Sequence, residues 1–116
     1  MTNFQRDLEV LINEGFIAPN KKNKIRFVFR YENRINGELG LLNLNERSYN
    51  CLRRNKINDV RGVSERWDTL GKMRNAGDKT VKAIKNNYIL YYYDNLNEEE
   101  RKQFWRDTIE ATINME

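Results

Sequence analysis

Arg47, Asn50 and Arg54 stand three and four residues apart in the run Arg47-Ser48-Tyr49-Asn50-Cys51-Leu52-Arg53-Arg54. In a helix, at about 100° per residue, that spacing puts all three on one face and Leu52 on the other, with Cys51 expected to face inward at the edge between them. The residue types that can read are thereby separated from those that pack. A second stretch, Gly77-Asp78-Lys79-Thr80, combines a glycine with a helix start. Glycine allows close backbone approach, and the free amides that follow suit an anionic oxygen. Neither stretch is a catalytic apparatus. The chain has no histidine and one cysteine, which removes the usual general base and leaves little from which to build a zinc site. No carboxylate cluster has the look of a metal site either. The chain reads as a non-enzyme without metal or cofactor.

Charge points the same way. The net charge of +4 hides an asymmetry: residues 1–46 carry 7 basic and 6 acidic side chains, residues 47–88 carry 11 and 4, and residues 89–116 carry 3 and 7. A basic middle third is what a polyanionic partner requires, and it is equally what a well-solvated surface looks like. With 33% charged residues against about 25% in average domains, and a mean hydropathy of −0.90, much of the surface must be solvated. No apolar run approaches the roughly 18 residues that span a bilayer. The N-terminus lacks the basic-then-apolar order of a secretory signal, and a single cysteine forms no internal disulfide, so a cytoplasmic location is expected.

The elements that must position these residues are short and mostly helical. Thr2 can cap a helix to about Glu14, stopped by Gly15. The only proline, Pro19, marks a turn over residues 16–23. Ile25, Phe27, Phe29 and Tyr31 alternate with Lys24, Arg26 and Arg30 in a strand-like pattern, and Asn36-Gly37 is a hairpin signal. Asn45 caps a helix to about Arg54, Ile57 and Val60 form an apolar pair, and Val63 to Leu70 is a further helical piece around Trp67. After a turn at residues 73–77, Asp78 opens a helix with Val81, Ile84 and Tyr88 on its inner side. Asn97 then caps a last helix whose first turn is Glu98-Glu99-Glu100. The expected fold is mainly α, a compact bundle of short helices with one short strand or hairpin near residues 24–37. The expected organisation is a 1–38 N-terminal helix and extension, a 39–96 helical domain, and a 97–116 acidic helix packed on it as one globular unit.

The hexad Arg47-Ser48-Tyr49-Asn50-Cys51-Leu52, the later Ile57-Asn58-Asp59-Val60 and the run Met73-Arg74-Asn75-Ala76-Gly77-Asp78-Lys79-Thr80 together resemble the C-terminal domain of the bacterial RNA polymerase α subunit. That family reads R-S-x-N-C-L, then I-x-x-V/I, then N-L-G-x-K-S-L-x-E-I-K. The resemblance covers roughly residues 39–96 and implies a helix-hairpin-helix-like element that binds A·T-rich DNA in the minor groove and docks transcription factors. It assigns Arg47 to the groove, Asn50 to fixing it, and Gly77, Lys79 and Thr80 to phosphates, with Cys51 inside the same DNA-binding hexad. A narrow A·T groove draws in arginine by its negative potential, and its few acceptors suit Arg and Asn donors. The chain departs from the family at Asp78, where a neutral or basic residue is usual, at Ala76 in place of leucine and at Ala83 in place of glutamate. It also lacks the assembly domain of the α subunit, so it is not expected to be that subunit.

Taken one at a time, the same residues have ordinary roles. Arg47 and Lys79 suit solvated charges, Asn50 suits a surface amide, and Cys51 suits a small buried hydrophobe. Gly77 suits a plain turn, Thr80 a helix surface, and Trp67, Tyr88 and the tyrosine triplet suit packing. Two functions remain in view: a DNA-binding protein acting in transcription, or an interaction module that docks RNA polymerase, a sigma factor or a regulator without touching DNA.

Overall fold

The computed structural model describes residues 1–19 and 24–113. The expected turn over 16–23 therefore lies partly, at residues 20–23, outside the described residues. The chain is mainly α, with no strand or sheet among the described residues. Five α-helices follow in order: α1 (Asn3–Asn13), α2 (Glu46–Arg54), α3 (Val60–Glu65), α4 (Asp78–Asp94) and α5 (Glu98–Ile113), with 3-10 turns at Leu39–Leu42 and Trp67–Lys72. No helix among the described residues is long and apolar enough to cross a membrane. The contacts gather into two compact units, one of Met1–Arg30 with Tyr93–Glu116, the other of Tyr31–Tyr92.

In the first unit, the caps read from sequence are present. Thr2 accepts from the Gln5 amide while the Gln5 side chain accepts from the Thr2 amide, a capping box that satisfies two otherwise orphaned donors. Asn97 and Glu100 do the same for α5, both at 2.9 Å. The strand or hairpin expected near residues 24–37 does not form. Ile25, Phe27 and Phe29 do alternate, half-buried, with exposed Arg26, Val28 and Arg30, but the segment has no regular secondary structure. No second strand among the described residues lies beside it; the Arg26 amide donates instead to Thr112 Oγ1 at 2.9 Å. Alternation reports only that every second side chain of a segment is covered, and here rings cover them. Phe27 lies 6.0 Å from Phe4 and 5.9 Å from Phe104 between ring centroids.

The centre of this unit is aromatic. Phe4, Tyr93, Phe104 and Trp105 pair at 5.2 to 6.0 Å between ring centroids, edge-to-face or stacked, geometries that the ring quadrupole favours. Tyr93 is fully buried, so its hydroxyl must find partners. It donates to Asp7 Oδ2 at 2.5 Å and accepts from the Trp105 indole N–H at 2.9 Å. Burial pushes the phenol well above its ordinary pKa, and the bond to Asp7 adds to this.

In the second unit, Asn36-Gly37 turns the chain without making a hairpin. The Asn36 side-chain oxygen accepts from the amides of Gly37 (2.8 Å) and Arg61 (2.9 Å), and the Val60 amide donates to the Gly37 carbonyl at 2.9 Å. The one isolated bridge among the described residues joins Glu38 to Asp59. Asp59 then caps α3 through the Gly62 amide at 2.8 Å. The helical piece expected from Val63 thus begins three residues earlier, and at Arg66 the backbone passes into the 3-10 turn that holds Trp67. Leu39, Leu52, Val60, Val63, Leu70, Ile84 and Tyr88 fill the interior.

Tyr93→Phe strands the Trp105 N–H in a buried setting and should lower the unfolding free energy in a urea titration by about 1–3 kcal/mol. A second expectation concerns acid. Asp107 is held below its ordinary pKa of 3.8, first by its hydrogen bonds from Arg30 (both 3.0 Å) and also by that from Gln103. A depressed carboxylate contributes stability that is full above its unfolded pKa and is lost as the pH falls through the folded one. Asp107→Asn should therefore flatten the fall in melting temperature below about pH 4; an unchanged acid profile would contradict this role.

Candidate nucleic-acid interface

Helix α2 is built from its ends. Asn45 caps it by accepting from the Ser48 amide at 2.8 Å, Glu46 stands in the first turn, and Arg53 and Arg54 stand in the last, so the charges oppose the helix dipole at both ends. Ser48, Cys51 and Leu52 are buried on one side. Arg47 and Arg54 are exposed and Asn50 half-buried on the other. With Asn45 and Glu46 these three line a shallow concavity of about 500 Å³. Arg53, off this face, is occupied by Tyr49, whose hydroxyl accepts from it at 3.2 Å.

The second group of residues sits at the start of α4. Gly77, Asp78 and Lys79 are exposed and Thr80 is half-buried. The first bond of this helix runs from the Val81 amide to the Gly77 carbonyl at 3.1 Å, so the amides of Asp78, Lys79 and Thr80 have no partner within the helix. No atom lies within 4 Å of where a Cβ on Gly77 would stand, and Gly77 is not in the left-handed region. The residue of this turn with a left-handed backbone is Asn75, at φ 64°. Neither packing nor backbone geometry within the protein requires a glycine at position 77.

The structure thus groups Arg47 and Asn50 in one concavity and Gly77, Lys79 and Thr80 in one helical turn. The connection between α2 and the turn before α4 runs through Asn55 and Cys51. The Asn55 side chain bonds both backbone groups of Arg74, and the Cys51 thiol points at the Arg74 carbonyl at 3.8 Å. Sequence reasoning passed over Asn55 as a helix end. A carboxamide one residue beyond a helix was the available signal, but its partner 19 positions away has no local signature. Cys51 is 3% exposed, and burial raises its thiol pKa, with Arg54 opposing.

Electrostatically, the unit Tyr31–Tyr92 contains 12 Lys and Arg against 7 Asp and Glu, a net +5. Some of these cations are committed: Arg61 pairs with Glu65 at 2.6 Å, and Lys85 sits 5.0 Å over the Trp67 ring. Arg47, Arg54, Lys56, Lys72, Arg74, Lys79 and Lys82 form no ion pair with any described residue. Site and fold together define a small helical unit with a two-sided short helix and a surplus of uncommitted cations.

Residues 31–87 match the family of the C-terminal domain of the alpha subunit of bacterial RNA polymerase. The resemblance read from the Arg47–Leu52 hexad and the Gly77-Asp78-Lys79-Thr80 run is therefore shown for this segment, and the match begins where the second unit begins, at Tyr31. No curated protein and no solved structure matches the protein.

A buried thiol with a raised pKa is a poor nucleophile. Under native conditions at pH 8, Cys51 should react with a thiol reagent at least tenfold more slowly than in the unfolded protein; equal rates would show that the α2 interior face is open.

Proposed function

We propose that the unit Tyr31–Tyr92 binds DNA and acts in transcription, without catalysis. The observation that carries this reading is the face of α2: Arg47, Asn50 and Arg54 stand together over a concavity, free of ion pairs, in the segment that matches the polymerase α C-terminal domain. Arg47 enters the minor groove of A·T-rich duplex, where the narrow groove concentrates negative potential. Asn50 beside it donates to base-edge acceptors. Cys51 supports both from the packed side. Gly77, Lys79 and Thr80 take phosphate oxygens with the free amides of α4, and phosphate contacts of this kind fix register without reading sequence. The open space at Gly77 favours close approach of a partner's backbone oxygen. The lone buried cysteine suits a reducing cytoplasm.

A second reading is favoured by Asp78, exposed and without an ion pair among the described residues, which sets a negative charge beside Lys79. In that reading the unit docks RNA polymerase, a sigma factor or a regulator and leaves DNA alone.

A salt titration on A·T-rich and G·C-rich duplexes separates the two. Lys79→Ala should weaken binding to both duplexes and lower the slope of log K against log salt by about one, the signature of one lost phosphate contact. Arg47→Ala should cost roughly 1–3 kcal/mol on A·T-rich duplex and erase most of the preference over G·C-rich DNA. Gly77→Ala should keep the parent melting temperature yet weaken binding. A parent protein that binds neither duplex, or variants that all bind as it does, would hand the surface to the docking reading.

A further inference from the structure

We infer that Asn55 is the positioning residue of this interface: its single carboxamide clamps the turn leading into α4 against the end of α2, holding the Lys79 end of the site in register with Arg47. The inference rests on the DNA-binding reading of the surface and deepens it. Asn55 occupies the cap position at the C-terminal end of α2. Its Oδ1 accepts from the Arg74 amide at 3.1 Å, while its Nδ2 donates to the Arg74 carbonyl at 3.2 Å and to the Cys51 carbonyl at 2.8 Å. One side chain thus satisfies both backbone groups of a residue 19 positions away and, with the same nitrogen, a carbonyl of its own helix. Only a carboxamide carries an acceptor and a two-proton donor side by side, so among side chains of this length asparagine alone makes all three bonds.

The clamp falls where it controls the site. Met73, beside Arg74, is buried, which anchors the turn from within, and only Asn75, Ala76 and Gly77 separate Arg74 from α4. Arg74 is therefore a fixed backbone point just ahead of the amides and the lysine assigned to phosphate. On the other side, Cys51, the carbonyl partner of Nδ2, is the immediate neighbour of Asn50 and one helical turn from Arg47. Phosphate and groove contacts act together only when their spacing matches the duplex, and a displacement of about 1 Å in a positioned group is enough to lose its contact.

The test uses the full-length protein and A·T-rich and G·C-rich duplexes across a salt series, with parent, Asn55→Ala, Asn55→Asp, Lys79→Ala and the double variant Asn55→Ala with Lys79→Ala. Asn55→Asp keeps the acceptor for the Arg74 amide but sets a carboxylate against two carbonyl oxygens, so it breaks the donor half alone; it also decides the matter should the alanine variant fail to fold. At a temperature where each variant is folded by circular dichroism, Asn55→Ala and Asn55→Asp should lose about one unit of salt slope and keep the A·T over G·C preference carried by Arg47. Lys79→Ala should then remove no further slope from Asn55→Ala. A residue that only stabilises the fold would lower the melting temperature and leave the slope of the folded protein untouched. Parent-like slopes in both Asn55 variants, beside a parent that binds DNA, would overturn the inference alone. A parent that binds neither duplex would overturn the DNA reading and the role of Asn55 with it.

Discussion

A helix of nine residues has to bury Leu52, and the remainder of the second unit follows from that. Leu52 is wholly inaccessible to solvent and Cys51 nearly so. Once Leu52 faces inward, the 100° step of the helix puts Arg47, Asn50 and Arg54 on the opposite side, with Cys51, about 40° round from Arg47, at the edge between the two. Burying a leucine side chain is worth about 1.5–3 kcal/mol, more than a solvated arginine loses by standing one way or another. Packing therefore sets the direction of the polar face, and the polar face inherits a fixed geometry without interactions of its own. That is why Arg47 and Arg54 can remain free of ion pairs and still be held on one surface.

Free cations on a rigid frame are the costly part of such a design. Like charges on one small unit repel, and the net +5 of Tyr31–Tyr92 weakens the folded state slightly unless an anion offsets it. The unit limits the cost by exposure: Arg47, Arg54, Lys56, Lys72, Arg74, Lys79 and Lys82 all stand in solvent, where high dielectric and salt screen them. Pairing with a polyanion would release condensed counterions and turn the same charges into binding free energy. The acids retained nearby, Glu46 and Asp78, each stand in the first turn of a helix, where they stabilise the helix start.

The first unit solves a different problem with different means. Its apolar material is aromatic, and two of its buried rings, Tyr93 and Trp105, carry a polar atom that needs a partner. The series of bonds from the Trp105 N–H to the Tyr93 hydroxyl to the Asp7 carboxylate satisfies them in turn, and each link polarises the next. The segment Ile25 to Phe29 completes the cluster with rings and not with a ladder of backbone bonds. Arg30 and Asp107, joined by two hydrogen bonds, close the same unit at its surface.

Interactions reaching three or four residues were legible in the amino-acid sequence, because cap and helix face are local geometry. Thr2, Asn45 and Asn97 announce three helix starts, the hexad from Arg47 to Leu52 separates its exposed side from its packing side, and the bulk of the core in residues 44–90 is visible as short helical stripes. What depended on distant partners was not legible. The alternation at residues 24–31 carries the same pattern for a strand and for an irregular segment packed on one side, since only a neighbouring backbone distinguishes them, and the Arg26 amide here meets Thr112, 86 positions away. The tyrosine triplet reads as one feature, yet Tyr92 belongs to one unit, accepting from the Tyr31 amide at 2.9 Å, and Tyr93 to the other. Asn55 looks like the end of a helix until Arg74 is brought to it. The sequence by itself determined which side chains point outward from α2. Only the tertiary structure decided what holds that helix to the turn before α4, because the hydrogen bonds that do so close a loop whose partners carry no mark of one another.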